Sequence, residues 1–303
     1  TKWGLDGNNS LAAILPARER GEVGATWYAG TADAIYQNIS FLDQYNPEYV
    51  LILSGDHIYK MDYEEMLNVH KEKGADLTVA VLNVSLKEAS RFGIMNTDDK
   101  GYIYEFEEKP EKPKSTLASM GIYIFNYKEL RKYLIADAAD ENSKHDFGMN
   151  IIPSMLADKK KLYAWTFDGY WKDVGTVESL WQANMDLLDD KELDLYNIKK
   201  DWKIYSEDTL GKPQLIGSKA SVKNSLVTQG CVVNGTVEGS VLFNNVNVGE
   251  GAQVIDSVLM PGVLIEEGAV VKKAIIDEGV VVKAGTVVNE EAKEVALVSG
   301  NSR

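Results

Sequence analysis

From about residue 215 the chain keeps a stride of 17 residues, and few folds tolerate so strict a period. Val237, Val254, Val271 and Val288 form one series, Leu242, Leu259 and Ile276 a second, and Val248, Ile265 and Val282 a third. Small residues keep the same step at Ser240, Ser257 and Ala274; so do Gly251, Gly268 and Gly285, and Asn245, Gly262 and Gly279. Within one stride, from Val237 through Leu242 and Val248 to Val254, the apolar positions advance by 5, 6 and 6 residues, a hexapeptide-type repeat with one shortened side. Each short strand then supplies an inward residue, and each corner asks for Gly or Asn, which tolerate positive φ. Three sides per coil make a triangular parallel β-helix. A β-sandwich with regular turns competes, but sandwiches rarely hold a fixed residue stride.

Coils of this kind often serve acyl transfer, which calls for a general base, typically histidine. His57, His70 and His145 all lie outside the repeat. The β-helix therefore reads as structural, serving packing or assembly, and the polar tail at 289–303 is expected to cap its open end.

A length of 303 residues admits one large domain or two ordinary ones, and 45% hydrophobic content is enough for a proper core. The lone Cys231 excludes an intrachain disulfide and fits a reducing compartment. No apolar stretch approaches the length of a membrane span, and the opening text TKWGLDGNNS is not that of a signal peptide, so a cytoplasmic location is expected. The formal charge of −14 argues against nucleic acid and anionic membranes as partners. An anionic substrate must then be held by a few placed cations or by a metal.

The first two-thirds alternate helix and strand signals, as α/β folds do. Helices are expected at 32–44, 63–73, 128–134 and 178–188, strands at 49–53, 77–84 and 119–125, and a connection to the repeat at 193–213. The apolar run at 49–53 suits a strand buried on both faces. Ser54 and Gly55 end it and Asp56 follows at once, where ligands of open α/β sheets bind. It could hold a hard cation or simply cap the helix that follows. Asp173, in DGYWKDVGT, poses the same choice: a second carboxylate for a shared Mg²⁺, or a cap. Gly30 and Thr31 stand before a helix, where backbone N–H groups can face an anion or a base edge; alternatively Thr31 is an ordinary N-cap. In FEEKP, Lys109 could serve as a point charge for phosphate, or belong to a solvated charge run. Glu108 could accept from sugar hydroxyls or pair with a lysine. ASMGIYIF enters its strand through small residues that admit a ligand close to the backbone.

The segments WYAGTADAIYQN, LSGDHIYKMDY, FGIMNTD, FEEKP, ASMGIYIF, HDFGMNIIP and GYWKDVGTVESLWQAN, in that order, resemble the bacterial glucose-1-phosphate adenylyltransferases, or ADP-glucose pyrophosphorylases. The resemblance runs through the repeat. It implies a Rossmann-like mixed sheet of an α/β nucleotidyltransferase domain over 1–195, incomplete at its N-terminus, a linker over 196–213 and a left-handed parallel β-helix over 214–303. It implies adenylyl transfer from ATP to glucose 1-phosphate with Mg²⁺, in an allosteric homotetramer of glucan synthesis. By motif, Asp56 and Asp173 are implied as metal ligands and Lys109 as the cation on the sugar phosphate. Tyr28, Gly93, Glu108 and Ser119 are implied in the glucose 1-phosphate pocket, and Gly30 and Thr31 near the nucleotide. A non-catalytic regulatory subunit, or a sugar-phosphate nucleotidyltransferase using another nucleotide, are the alternatives; Asp56, Lys109 and Asp173 together favour the catalytic reading. Arg18, Arg20 and Lys212 are effector candidates by position alone.

The family's Gly-rich phosphate loop has no match in this text. The chain is therefore expected to begin inside the family's catalytic domain and, alone, to show little adenylyltransferase turnover. A steady-state assay with ATP, Mg²⁺ and glucose 1-phosphate checks this, and family-like turnover refutes it.

Overall fold

A computed structural model describes residues 13–15, 27–189 and 211–300. Arg18, Arg20 and nearly all of the expected connection at 193–213 lie outside the described residues. In chain order, α1 (Thr31–Tyr36) and α2 (Ile39–Tyr45) lead into β1 (Tyr49–Ile52), and β2 (His57–Tyr59) precedes α3 (Tyr63–Lys73), β3 (Leu77–Asn83) and the short α4 (Leu86–Ala89). Next come β4 (Gly93–Thr97), β5 (Ile103–Glu108), β6 (Leu117–Asn126) and α5 (Tyr127–Ala138). A π-helical turn (Phe147–Ile151) runs into α6 (Ile152–Ala157), followed by β7 (Leu162–Thr166), β8 (Trp171–Asp173) and α7 (Val177–Asp186). Contacts sort the chain into two units. One holds the described residues up to Ser54 with Met61–Asp168; the other holds Gly55–Lys60 and the described residues from Gly169 onward.

The first unit is built on a six-stranded mixed sheet in the order β5-β4-β6-β3-β7, with β1 also paired to β6. β6 is antiparallel to β1, β3 and β4, and β3 is parallel to β7. Along one edge β6 meets β4 at Ala118 and β1 from Tyr123 to Asn126. Between these partners Gly121 takes φ +66, and the register with β3 shifts between Val79 and Val81. Leu77, Val79, Phe125, Leu130, Ile152 and Met155 pack into one core. His70 is a satisfied core histidine. Asn126 Nδ2 donates to Ala75 O, leaving Oδ1 to accept from His70 Nε2 at 3.1 Å, while Nδ1 meets Thr78 Oγ1 at 2.8 Å. Burial holds this imidazole below its ordinary pKa.

Two expectations are corrected here. The helix expected at 32–44 is two helices, because Asn38 turns its side-chain amide back to Ala34 O at 2.8 Å and leaves helical geometry at φ −107, ψ 10. β1 is not buried on both faces: its one strand partner among the described residues is β6, and Leu51 is 37% exposed.

In the second unit β2 pairs antiparallel with β8, α7 follows, and the rest is a parallel β-helix. Its three walls are five-stranded parallel sheets. One wall stacks Ser221–Lys223, Thr236–Glu238, Gln253–Ile255, Val270–Lys272 and Val287–Val288. Val237, Val254, Leu259, Ile265, Val271 and Ile276 all point into the closed core. The stride fails at both ends. Ser221 pairs with Thr236, two residues short of it, and Ala274 pairs with Ala296, five beyond it. Part of the tail expected to be a cap is thus wall: Ala296 and Val298 pack on the core. One corner row, Asn224, Gly239, Asp256 and Lys273, is left-handed throughout, at φ 40, 56, 46 and 42.

The small-residue series is explained by a ladder of hydrogen bonds. Ser225 Oγ accepts Ser240 N, Ser240 Oγ accepts Ser257 N, and Ser257 Oγ accepts Ala274 N at 3.2 Å. Ser240 and Ser257 are fully buried. Each hydroxyl satisfies an amide of the next coil that would otherwise be orphaned inside the wall. Ser257→Ala should therefore lower unfolding free energy by about 1–3 kcal/mol, the cost of a buried unsatisfied amide, measured by urea unfolding followed by circular dichroism.

Candidate functional site

The second unit carries the two aspartates. The β2–β8 pairing sets His57 opposite Asp173, and Val174 N donates to Asp56 O at 3.1 Å, so residues far apart in the chain are drawn to one loop pair. Gly175 N donates to Asp173 Oδ1 at 2.8 Å. The point where a Cβ on Gly175 would stand is 3.0 Å from Asp173 Oδ1 and 3.5 Å from Asp56 Oδ2. Both carboxylates thus face one small volume that glycine leaves open. Neither is a helix cap. α3 is capped by Asp62, whose Oδ1 accepts Glu64 N at 3.0 Å, and α7 by Thr176, whose Oγ1 accepts Ser179 N at 3.1 Å. His57 Nε2 lies 3.5 Å from Asp56 Oδ1, with its ring edge-on to Trp171.

This donor set fits a hard divalent cation. Such an ion accepts one or two carboxylates and fills its remaining positions with water and phosphate oxygens. Among the described residues no group of three or more His, Cys, Asp or Glu forms a complete protein cage.

The first unit gathers the other residues. Gly93 pairs with Glu108 across β4–β5, and Ser119 stands one residue beyond the Ala118–Ile94 pair, so β6 lays it beside Gly93. A Cβ on Gly93 would meet the Phe106 ring at 2.6 Å and Glu108 Oε2 at 3.1 Å; one on Gly148 would stand 3.0 Å from the same oxygen. Glu108 is therefore flanked by two bare stretches of backbone. Burial pushes its carboxyl above the usual range, Lys109 pulls it back, and Asp146 adds to the rise. Lys109, at φ +45 just past β5, places Nζ 3.7 Å from Glu108 Oε1 and stays largely exposed. Burial pushes the Tyr123 hydroxyl up to about 12, with a hydrogen bond to Ser119 opposing it.

The start of α1 departs from expectation. Gly30, not Thr31, holds the N-cap position, with extended backbone and no side-chain cap. His145 O accepts Ala32 N and Asp33 N at 2.8 and 3.2 Å, so these amides are not turned toward a ligand. Thr31 Oγ1 donates to Asp146 Oδ2 at 2.8 Å and accepts Phe147 N at 3.1 Å. A Cβ on Gly30 would lie 2.3 Å from His145 O, which is reason enough for glycine there. Tyr28 is tied to Asn38 Nδ2 and to Leu15 O.

Residues 6–190 match the family model described as nucleotidyl transferase, and residues 214–297 match a GlmU-like C-terminal hexapeptide model. The chain belongs to the nucleotidyl transferase family. It is 59% identical to a glucose-1-phosphate adenylyltransferase of Clostridium beijerinckii over 84% of its own length and 66% of the relative's. It is 61% identical to the Clostridium novyi protein of that name over 82% of its length and 64% of the relative's, and 56% to that of Geobacillus stearothermophilus over 83% and 65%. The chain thus spans just under two-thirds of the length of these relatives.

Within this nucleotidyl transferase chain the structure adds residues that no motif argument had singled out. They are His57 beside Asp56, Gly175 between the aspartates, and Asp146 and Gly148 around Glu108. The glycine directly after DV in DVGT was the available signal for Gly175. Among the described residues no helix is long and apolar enough to cross a membrane.

Glu108 has a linked consequence. Its folded pKa lies above the unfolded one, so the native state gains stability from the proton below the ordinary carboxylate pKa and loses it as pH rises through the folded value. Glu108→Gln removes that loss. Its melting temperature should exceed the parent's at pH 7.5, with the gap closing toward pH 4. A thermal melt series across that range checks it, and a constant or inverted gap refutes it.

Proposed function

We propose that this chain serves adenylyl transfer from ATP to α-D-glucose 1-phosphate, giving ADP-glucose and pyrophosphate for glucan synthesis, with Mg²⁺ as the cation. The observation that carries this is the convergence of Asp56 and Asp173 on the space above Gly175. Membership of the nucleotidyl transferase family and the name of the similar clostridial proteins support it.

In this reaction a phosphate oxygen of the sugar phosphate forms a bond to the α-phosphorus of ATP as the bond to the β-phosphate oxygen breaks. Such transfers rely on positioning and charge neutralisation more than on covalent chemistry with the protein. Asp56 and Asp173 are the ligands we assign to the cation, and His57 restrains the Asp56 carboxylate. When bound, the cation neutralises phosphate charge. Lys109 supplies the positive charge for the glucose phosphate. Glu108, held between the backbones of Gly93 and Gly148, accepts from sugar hydroxyls, and Ser119 borders the same pocket. Tyr28 is assigned to the sugar and Gly30 and Thr31 to the nucleotide side by motif, beyond their packing roles. We propose a homotetramer as the assembled form.

Two substitutions in the active protein test these roles. Asp56→Asn should abolish turnover while leaving the circular dichroism spectrum unchanged; retained turnover refutes its role. Lys109→Ala should chiefly raise KM for glucose 1-phosphate, by about 10- to 100-fold for a lost contact between charged groups of about 1.5–3 kcal/mol. An effect confined to ATP overturns the assignment.

A further inference from the structure

Trp181 projects from the middle of α7 onto a corner of the β-helix. Its Nε1–H donates to Asp256 O at 2.7 Å, and Lys273 Nζ lies 5.4 Å from its ring centroid. α7 also packs against the strand Ala274–Ile276. Asp256 and Lys273 are successive members of the left-handed corner row, where glycine is the unstrained choice and Gly239 is used one coil earlier. Both non-glycine residues meet the indole, one through its carbonyl and one through its side chain.

The other end of α7 holds the strand that bears Asp173. Asp186 accepts from Tyr170 Oη at 2.8 Å, from Gln182 Nε2 at 2.8 Å, and from Lys172 Nζ. Tyr170 and Lys172 bracket Trp171, and Lys172 directly precedes Asp173. At the near end, the Thr176 and Ser179 hydroxyls meet at 2.8 Å and join the helix to the turn containing Gly175. The helix is thus tied to the Asp173 strand at both ends and to the solenoid at its centre.

We infer that Trp181 is a positioning residue for the aspartate pair. By seating α7 on the corner at Asp256 and Lys273, it holds Asp173 where it shares a cation with Asp56. This rests on the reading of Asp56 and Asp173 as cation ligands. A group that orients a ligand without touching the metal typically changes metal affinity by about 10- to 100-fold when removed.

The test is Mn²⁺ binding to the full chain, read as loss of the free-ion electron paramagnetic resonance signal, for the parent, Asp173→Asn, Trp181→Phe and Asp186→Asn. Phenylalanine keeps an apolar ring in place but has no N–H for Asp256 O. Asp186→Asn leaves that seat intact and weakens the far tie. We expect Asp173→Asn to lose the site. Trp181→Phe and Asp186→Asn should each weaken Mn²⁺ binding about tenfold with the parent's circular dichroism spectrum. If Asp173→Asn loses Mn²⁺ while Trp181→Phe binds as the parent does, the positioning role is overturned and the cation reading stands. If Asp173→Asn binds Mn²⁺ as the parent does, the cation reading itself falls. Should Trp181→Phe not fold, Asp186→Asn decides the point: parent-like affinity overturns the inference.

Discussion

Strand β6 lies against β3 along nearly its whole length, and the rest of the first unit is arranged around that pairing. Met120, Ile122 and Ile124 are buried at alternate positions, and Tyr123 and Phe125 fill the other face where β1 joins. A slip of one residue would exchange these sets and carry Ser119 to the opposite face, away from Gly93. The left-handed backbone at Gly121 is where the register with β3 shifts, so the two halves of β6 keep separate pairings. At the far end Asn126 is locked by Ala75 and His70. The pocket around Glu108 therefore inherits its geometry from a buried hydrophobic register, not from its own polar contacts.

Local charges, not the chain's overall sign, set the character of both places. With a net charge of −14, a phosphate gains nothing from the protein's long-range field. In the first unit, Lys109 stands beside an otherwise acidic pocket of Glu108 and Asp146. In the second, two carboxylates face one point, an arrangement that like charges resist and that a cation between them would favour.

How much of this could be read from the chain follows from what each signal encodes. The β-helix was legible because its period is a direct imprint of inward positions: Val237, Val254 and Val271 recur where one wall turns inward. The irregular first and last coils were not, since one shortened side and one long polar turn leave no period to follow. Asp56, Lys109 and Asp173 were marked by chemistry and neighbourhood, but Asp56 and Asp173 could equally have been caps. That choice depends on a helix start displaced by a few residues, and Asp62 and Thr176 took the role instead. Gly30 stood just before a helix, where backbone N–H groups can face an anion or a base edge. It makes room for the carbonyl of His145, which lies over a hundred positions away and which local sequence cannot point to.

The pairing of β2 with β8 has just three residues on each strand. A two-stranded ribbon of that size is barely stable in water, yet it is what brings Asp56 to Asp173. It persists because its flanks are anchored: Tyr170 and Lys172 by the half-buried Asp186, and His57 by the Trp171 ring. The anchor passes through α7 to a solenoid in which every coil is tied to the next by backbone ladders and, at Ser240 and Ser257, by hydroxyls inside the wall. A frame of stacked coils resists local distortion because each layer is held by its neighbours. Aspartates on a short exposed loop pair would otherwise sample many positions. Tied to such a frame, they can be held to the narrow geometry that sharing one cation demands. Under the proposed cation assignment, the β-helix bears on the chemistry by holding Asp173 in place.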